Sequence, residues 1–383
     1  MGTTQTFFTG LVVAIVGFFS SFPIFLQGVT TVGATPGQAA SALMAGAISM
    51  GLAGIVLSLW QKVPVSVAWS TPGVALLAVS APDATGFAGA IGAFIFAGAL
   101  TVIAGFWKPL ARLAQSIPAP ITQAMLAGVL LSICFTPFRA LADAPWVALP
   151  ILLTWFLVSR ASRLFAVPAA VLATVVLIFV HNAGAVPMPE AALTSPVFTM
   201  PTFTLSAIVG LGLPLFIVTM ATQNIPGMSV LNSNGYRPPA GKMFASVGAF
   251  SILSAPFGAA QTCLAAITAA MCSDENVDPD PAQRYWAAVW SGVFYCLFGI
   301  FAGAVTHFAA LAPDFAVGSL AGVALFAVFM NSASVALKDD ATREAAGITF
   351  LITASGVTLF GLGGAVWGLV AGCAVYLVQR WRG

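Results

Sequence analysis

The sequence predicts an all-α polytopic membrane protein with about fourteen transmembrane segments, arranged as two inverted repeats of seven. Three observations predict this fold: the apolar composition, a one-sided distribution of basic residues, and two interrupted segments in corresponding halves of the chain. Of the 383 residues, 60% are hydrophobic and only 6% are charged, whereas about a quarter of the residues in a soluble domain are charged. Continuous apolar runs, rather than alternating apolar and polar residues, indicate helices and exclude a porin-like barrel.

Apolar runs bounded by Pro, Gly or charged residues define the segments in chain order. They cover residues 7–31, 37–60, 64–80, 86–106, 118–136, 144–160, 164–181, 204–230, 240–256, 257–272, 284–307, 315–336, 343–358 and 361–379. The first run has no basic n-region and no cleavage site before it, so we expect it to remain as a membrane span. Segments 3 and 10 are the least regular, because Pro and Gly interrupt both.

The basic residues support this set of crossings. If the N-terminus is cytoplasmic, every Lys and Arg except Arg139 falls on the cytoplasmic side, as the positive-inside rule requires. If segment 3 alone did not cross, each later loop as far as segment 10 would lie on the opposite side of the membrane, and the charge asymmetry would be lost. Segments 3 and 10 therefore either both cross or both do not, and we expect both to cross. This arrangement places both termini in the cytoplasm.

An internal repeat relates the two halves. Residues 127–135, AGVLLSICF, and 321–329, AGVALFAVF, share five of nine residues at an offset of 194. The two stretches lie in segments 5 and 12, which are seven segments apart, as are segments 3 and 10. Because seven is odd, the second copy must have the opposite orientation in the membrane. Inverted repeats of this kind are typical of secondary transporters, in which the substrate binds where broken helices meet.

Segment 3, VPVSVAWSTPGVALLAVS, is predicted to be half strand and half helix. Its β-branched first half favours an extended chain, and Ser70 or Thr71 followed by Pro72 is a helix-start signal. About five extended and about eleven helical residues would together span about 32 Å, close to the hydrocarbon core of about 30 Å. The alternative is a continuous helix that Pro and Gly merely kink.

Segment 10, APFGAAQTCLAAITAAMC, has the same order of signals. Pro256 and Gly258 interrupt it, and Gln261 and Thr262 precede a short helical run that ends at Met271. If the halves are inverted, both half-helices start near the middle of the membrane. Helix N-termini carry unpaired N–H groups and a partial positive charge. We therefore expect an anion to bind between the N-termini at Ser70–Gly73 and Gln261–Cys263.

No Asp, Glu, Lys or Arg falls clearly in the middle of a predicted span, although such residues often mark the pathway in proton and cation carriers. Neutral polar residues take that place, chiefly Gln223 and Asn224 before a Pro-Gly break in segment 8 and Ser20 in segment 1. Phe19 and Phe257 lie near breaks and could cover an aromatic ring. An apolar pocket with a few polar groups suits a small aromatic acid, an aliphatic acid or a nucleobase, and these residues alone leave the choice open.

Four stretches resemble the benzoate–proton symporter (BenE) family of bacteria. They are VPVSVAWSTPGVALLA (63–78), LPLFIVTMATQNIPGM (213–228), SAPFGAAQTCLAAITAAMC (254–272) and FLITASGVTLFGLGGAVWGLVAG (350–372). That family is similar in plan to the uracil permease and nucleobase–ascorbate carriers, and this resemblance implies short strands in segments 3 and 10 that precede half-helices at the substrate site. The resemblance implies a core domain built from residues 7–112 and 204–307. It also implies a gate domain built from residues 118–200 and 314–381.

One departure concerns the ligand. The resemblance to nucleobase carriers would place acidic residues in segments 8 and 10, where this chain has Gln223, Asn224, Gln261 and Thr262. Neutral groups under helix N-termini suit a carboxylate better than a uracil. The expected substrate-binding residues are Ser70, Thr71, Gly73, Gln223, Asn224, Gln261, Thr262, Ser20, Phe19 and Phe257.

These features predict a multi-pass secondary transporter of the bacterial inner membrane that imports benzoate or a similar aromatic carboxylate with a proton. Its partners would be that acid, the proton and the lipid bilayer, and the sequence leaves open a homodimer. A nucleobase-type permease and a passive anion channel on the same scaffold are the alternatives. We expect no enzyme activity, cofactor, metal site or nucleic-acid partner, because the chain has no HExxH motif, no nucleotide loop and a net charge of only +2.

Overall fold

The computed structural model describes residues 4–382 except 81–84, 108, 111, 113–115, 183, 185–192 and 361. Six helices in the described part are long and apolar enough to cross a membrane, and a helix pair bent by 55°, Tyr285–Ile300 with Ala302–Ala310, raises the number to seven. Shorter apolar helices, Pro145–Ala161 and Ala166–His181, accompany them. The protein is therefore a helical polytopic membrane protein, and the count of fourteen crossings stays a prediction.

The first half of the chain forms eight helices and one strand among the described residues. They are α1 (Thr4–Phe19), α2 (Phe22–Thr31), α3 (Pro36–Gln61), β1 (Val67–Trp69), α4 (Thr71–Ala78), α5 (Phe87–Phe106), α6 (Ala119–Asp143), α7 (Pro145–Ala161) and α8 (Ala166–His181). Helix α1 ends at Phe19, just before Ser20 and Ser21. Helix α2 has a proline in its first turn, where a backbone N–H would have no acceptor within the helix.

In the part that the structure describes, the second half has both long and short helices and three short strands. It contains α9 (Leu205–Ser233), α10 (Ala240–Ser254), β2 (Thr262–Leu264), α11 (Ala266–Ser273), α12 (Tyr285–Ile300), α13 (Ala302–Ala310), α14 (Ala316–Leu337), α15 (Arg343–Ala354), β3 (Thr358–Leu359), β4 (Leu362–Gly363) and α16 (Gly364–Arg382). Helix α15 ends at Ala354, before residue 358, which is the predicted end of segment 13. It is followed by a β3–β4 hairpin that the sequence did not predict.

Helix α9 contains two π-helical segments, Ile208–Gly212 and Met220–Asn224. Each is followed two residues later by a proline, Pro214 or Pro226. Proline has no N–H, so the carbonyls of Gly210 and Thr222 lose their normal i+4 partner. A π turn accommodates such a break without ending the helix, and π turns are frequent at functional sites.

The centre of the molecule is a buried antiparallel pair formed by β1 and β2. Its register pairs Val67 with Leu264, Ala68 with Cys263 and Trp69 with Thr262. Two further bonds extend the ladder: the Ser70 N–H donates to the Gln261 carbonyl at 2.7 Å, and the Ala265 N–H donates to the Ser66 carbonyl at 3.1 Å. Segments 3 and 10 thus each consist of a short strand followed by a half-helix, as the sequence predicted.

Two details of the prediction are wrong. Helix α4 has eight residues, fewer than the eleven expected, because Ser70 is its extended N-cap and the helix ends at Ala78, before Val79 and Ser80. Helix α11 begins at Ala266, so Gln261–Cys263 do not form a helix N-terminus. The backbone groups of this stretch pair with β1 instead, and this long-range ladder overrides the local helix-start signal.

Pairs of glycines let neighbouring helices approach closely. A Cβ built on Gly51 of α3 would lie 2.5 Å from the Gly292 carbonyl oxygen of α12, and one on Gly292 would lie 2.6 Å from the Gly51 oxygen. Gly98 and Gly248 make a similar contact between α5 and α10. Small residues at such crossings allow the backbone contact that stabilises helix pairs in lipid.

We expect Gly51→Val to lower the thermal melting temperature of the detergent-solubilised protein, because the added atoms must push α12 away from α3. Overpacking of this kind costs about 1–3 kcal/mol. Gly347→Val on α15 is the matched control, since nothing lies within 4 Å of a Cβ built at that position. Equal melting temperatures for the two variants would contradict the close α3–α12 contact.

Candidate functional site

Trp69, the last residue of β1, ties the strand pair to the break between α1 and α2. Its side chain is 2% exposed, and its Nε1–H donates to Ser21 Oγ at 2.9 Å. The ring lies 4.8 Å from the Phe25 ring and 5.5 Å from the Phe18 ring, measured between centroids. A single aromatic side chain therefore sets the position of β1 relative to segment 1.

Ser70 is the N-cap of α4, which decides between the two candidates that the sequence offered. The Gly73 N–H donates to Ser70 Oγ at 3.1 Å, and Thr219 Oγ1 donates to the same oxygen at 2.8 Å. The Val74 N–H donates to the Ser70 carbonyl at 2.8 Å. Pro72 has no N–H, and the N–H groups of Gly73 and Val74 are used by Ser70. The Thr71 N–H is therefore the backbone donor in the first turn of α4 that the cap does not use. The Thr71 side chain is half-buried.

Asn224 holds the outer edge of β2, and the Thr262 side chain ties the strand to α3. The Leu264 N–H donates to Asn224 Oδ1 at 2.9 Å, and Asn224 Nδ2 points at Met220 Sδ at 3.3 Å. Thr262 Oγ1 shares a hydrogen bond of 2.8 Å with Ser49. Asn224 is fully buried. The structure therefore shows both predicted residues positioning the strand, while neighbouring Gln223 is half-buried on the π turn.

We expect Asn224→Leu to weaken binding of any ligand held by the strand pair, because the Leu264 N–H loses its acceptor while the shape of the side chain is nearly kept. A buried unpaired donor costs about 1–3 kcal/mol, which corresponds to roughly a 5- to 150-fold loss of affinity if the strand shifts. Binding of a candidate ligand to purified protein measures the effect, with Asn232→Leu on the exposed end of α9 as the control. Unchanged affinity would show that the edge contact has no influence on the site.

Gln261 has an unusual environment. It is 1% exposed, its carbonyl accepts from Ser70, and its Nε2 donates to the Phe94 carbonyl of α5 at 2.7 Å. Its Oε1 is buried and has no hydrogen-bond partner among the described residues. Buried polar atoms are rarely left unpaired, so such an atom is a candidate for contact with a ligand or water.

The two half-helices start at opposite ends of the strand pair. Helix α11 begins beside Ser66, whose hydroxyl donates to Thr268 Oγ1 at 2.7 Å, whereas α4 begins beside Gln261. Four residues of strand separate the starts, or roughly 13 Å at the usual rise. The predicted pair of facing N-termini is therefore replaced by two termini on either side of a short ladder. The N-cap of α11, Ala265, cannot cap with its side chain, and Ile267 in its first turn is 69% exposed.

The remaining predicted residues lie in different places. Phe19 and the half-buried Ser20 are at the α1–α2 break, and Phe19 packs on Phe298 with centroids 5.5 Å apart. Phe19 also lines an apolar cavity of about 240 Å³ between this break and α8, α13 and α14. Phe257 packs instead against Phe198 at 6.0 Å. The structure does not bring Phe257 to the strand pair.

A larger cavity of about 420 Å³ was not predicted. It lies between α4, α5 and α9 on one side and α6, α15 and α16 on the other, and its wall carries several hydroxyl groups. The lining includes Ser80, Ser132, Ser206, Thr353 and Thr358. Individually these residues look like ordinary small residues of membrane helices, and they come from distant parts of the chain, so no local signal identifies them.

Helix α9 contacts the first turn of α4 and also borders this cavity. Leu211 lines it, and Leu215, one turn further along α9, is fully buried. A Cβ built on Gly73 would lie 2.6 Å from Leu215 Cδ1, so Leu215 packs directly on the first turn of α4. Ser70, the N-cap of that helix, is also fully buried.

The charge environment of the strand pair is neutral. Residues 4–61, 63–80, 213–236 and 243–273, which supply the strands and the helices around them, contain no Asp, Glu, Lys, Arg or His. In the part of the chain that the structure describes, no group of three or more His, Cys, Asp or Glu residues could hold a metal ion. Ligand recognition here must therefore use hydrogen bonds, helix ends and apolar contacts.

The chain matches one family profile and is similar in sequence to two bacterial membrane proteins. The family profile described as "BenE: Benzoate membrane transport protein" matches residues 3–378. The "Inner membrane protein YdcO" of Escherichia coli is 36% identical over 373 residues, covering 97% of this chain and 95% of that protein. The "Benzoate membrane transport protein" of Acinetobacter baylyi is 30% identical over 370 residues, covering 96% and 93%.

Solved structures show the same fold at low identity. The transmembrane domain of a cyanobacterial bicarbonate transporter, BicA, aligns with a TM-score of 0.65 at 14% identity over 97% of both chains. The inward-facing murine anion transporter Slc26a9 aligns with a TM-score of 0.65 at 11% identity, covering all of this chain and 69% of that one. At these identities the likeness concerns the fold alone.

Proposed function

The chain belongs to the BenE family of benzoate membrane transport proteins, and from that premise we propose that it carries benzoate or a similar aromatic carboxylate into the cell together with a proton. The observation that carries the proposal is the buried, uncharged strand pair at which the two broken segments meet. Membership in a transporter family and a fold shared with anion transporters support it. We place the protein in the bacterial inner membrane.

We propose fourteen crossings in two inverted repeats, with both termini cytoplasmic. The packing supports this arrangement, because helix pairs recur after a shift of seven segments. Helix α3 packs on α12 as α10 packs on α5, and α6 packs on α15 as α14 packs on α7. The antiparallel β1–β2 pair relates segment 3 to segment 10 in the same way. An inverted repeat produces this set of equivalent contacts.

We further propose that residues 7–112 and 204–307 form a core domain that moves against a gate domain of residues 118–200 and 314–381. The cavity of about 420 Å³ lies between elements assigned to these two units, as does the apolar cavity beside Phe19. Alternating access would open and close such spaces around a fixed site, as in other transporters built from inverted repeats.

In the proposed site the carboxyl group lies near the start of α4, at Ser70, Thr71 and Gly73. Gln261 and Gln223 would contact it, with Asn224 and Thr262 fixing the strand beneath. Phe19, with Ser20 beside it, would cover the ring. Phe257 is left out of this proposal because its ring packs against Phe198.

Counterflow in proteoliposomes tests the transport mode. We expect unlabelled benzoate trapped inside the vesicles to accelerate entry of labelled benzoate, and the entry rate to saturate with concentration, because a carrier exposes one site to each side in turn. Uracil in excess should not compete, since no acidic side chain is available to bind its ring nitrogens. Unsaturable, voltage-driven benzoate currents would support a channel instead, and inhibition by uracil would support a nucleobase permease.

A further inference from the structure

We infer that the site at Ser70 and Gln261 takes the aromatic acid in its protonated, uncharged form, so that the proton crosses the membrane on the ligand. This inference rests on the proposed function, because it specifies the form in which the same site holds the proposed substrate. Its basis is one acceptor and two donors that have no partner there among the described residues: Gln261 Oε1, the Ser70 hydroxyl proton and the Thr71 N–H.

The unpaired acceptor is Gln261 Oε1. Gln261 is 1% exposed, and its Nε2 donates to the Phe94 carbonyl at 2.7 Å, so this contact fixes the orientation of the amide. Reversing the amide would place two carbonyl oxygens against each other. Oε1 has no partner among the described residues. A group that satisfies it must donate a hydrogen bond, and an ionised carboxylate has no proton to donate.

The unpaired donor is the hydroxyl of Ser70. Its oxygen accepts from the Gly73 N–H at 3.1 Å and from Thr219 Oγ1 at 2.8 Å, which uses both lone pairs. Its own proton is then left to donate to a further group. Ser70 is adjacent to Gln261, since the Ser70 N–H donates to the Gln261 carbonyl at 2.7 Å. A protonated carboxylic acid has one acceptor and one donor on the same group, and so matches this pair.

The surroundings favour the neutral form as well. The first turn of α4 uses two of its N–H groups within its own cap, which reduces its capacity for an anion. The segments around the strand pair contain no cationic side chain and no acidic one that could carry a proton in place of the ligand. Burying an unpaired carboxylate in such a site costs far more than burying the neutral acid.

Access requires one local movement. Ser70 and Gln261 are buried, and Leu215 covers the first turn of α4 where a Cβ on Gly73 would lie 2.6 Å from Leu215 Cδ1. Displacing the Leu215 side chain would join the cavity of about 420 Å³ to Ser70. The acid would then enter with its O–H bond intact and release the proton to water on the other side.

Three ligands tested on the purified full chain separate the two forms. Benzoate is the substrate, benzamide is an uncharged mimic with a donor and an acceptor, and benzenesulfonate is always an anion. From about pH 5 to about pH 8 we expect the Kd for total benzoate to rise about tenfold per unit, following its neutral fraction. Benzamide should compete with a Kd that does not change with pH, and benzenesulfonate should not compete.

A substitution tests the acceptor itself. Gln261→Met keeps the length of the side chain but removes Oε1, and we expect it to weaken benzamide binding by about tenfold. Gln123→Met is the matched control, because Gln123 Oε1 is also buried and has no partner among the described residues, but lies on α6. If Gln261→Met does not fold, the three-ligand pattern on the unaltered protein still decides.

A benzoate Kd that is independent of pH, with competition by benzenesulfonate, would overturn the inference. Binding of benzenesulfonate that tightens at low pH would also overturn it, because the proton would then reside on the protein. If benzoate binds and benzamide does not, only the inference fails. If benzoate binds at no pH, the proposed function itself fails and the inference falls with it.

Discussion

Trp69→Ala should abolish benzoate transport and lower the melting temperature of the protein. The side chain is 2% exposed and holds β1 against segment 1 through the Phe18 and Phe25 rings and a 2.9 Å bond to Ser21. Removing a buried tryptophan side chain costs about 3–5 kcal/mol. The loss also leaves a cavity beside β1. Because Ser70 directly follows β1 and caps α4, the start of α4 should lose its fixed position.

Trp69→Phe separates the two contributions. It keeps most of the ring packing but removes the Nε1–H, so the melting temperature should fall by less than in Trp69→Ala. Trp60→Ala at the end of α3 is a control, since that side chain is 55% exposed. Thermal melting by near-ultraviolet circular dichroism and initial uptake rates measure the two effects. Full transport by Trp69→Ala would contradict the role assigned to this residue.

Gly227→Val should have an effect of similar size from the opposite side of the strand pair. A Cβ on Gly227 would lie 2.7 Å from Leu264 Cβ and 3.2 Å from the Leu264 carbonyl carbon. The branched side chain must therefore displace β2 or α9, because Leu264 is itself buried. Overpacking against a backbone costs about 1–3 kcal/mol or more. Since β2 carries the bond from Leu264 to Asn224, we expect loss of both ligand binding and transport.

Ser229→Val is the matched control for this substitution. It places the same side chain two residues further along α9, where Ser229 is exposed, and it should transport at close to the normal rate. A Gly227→Val variant that binds benzoate normally would show that the spacing between α9 and β2 is not required for the site.

Local signals in segment 3 were sufficient to predict a strand followed by a helix, although not the length of that helix. Ser70 accepts a hydrogen bond from Gly73 as a cap, and Pro72 lies in the first turn, so the rules of helix initiation apply without help from the rest of the chain. The same rules failed for segment 10. Gln261 and Thr262 read as helix-start residues, but pairing with β1 keeps them extended, and that partner is almost 200 residues away in the sequence.

Other features depend on three-dimensional context that single residues do not reveal. The sequence predicts that Asn224 binds the substrate, whereas in the structure its Oδ1 accepts the Leu264 N–H. The unpaired state of Gln261 Oε1 follows from the position of the Phe94 carbonyl on α5. Neither fact follows from residue type or spacing, because both depend on how α9 and α5 pack against β2 and the residue before it.

The fold is shared with a bicarbonate transporter and with the anion transporter Slc26a9, so the fold alone does not select an aromatic acid. Specificity must come from the residues that differ. Here the centre combines neutral hydrogen-bonding groups with aromatic side chains such as Phe19, which lines an apolar cavity at the break in segment 1. That combination suits a ring attached to a carboxyl group, and it explains why we place the ring beside segment 1.

Benzoate uptake into proteoliposomes under an imposed pH gradient tests the central claim most directly. Protein-free vesicles and vesicles with the Trp69→Ala variant give the background, since neutral acid also crosses lipid unaided. We expect the excess uptake to be saturable, to accelerate when the outside is acidic, and to ignore a membrane potential, because an anion and a proton together carry no charge. Excess uptake that follows the potential and ignores the pH gradient would contradict proton-coupled carriage of benzoate.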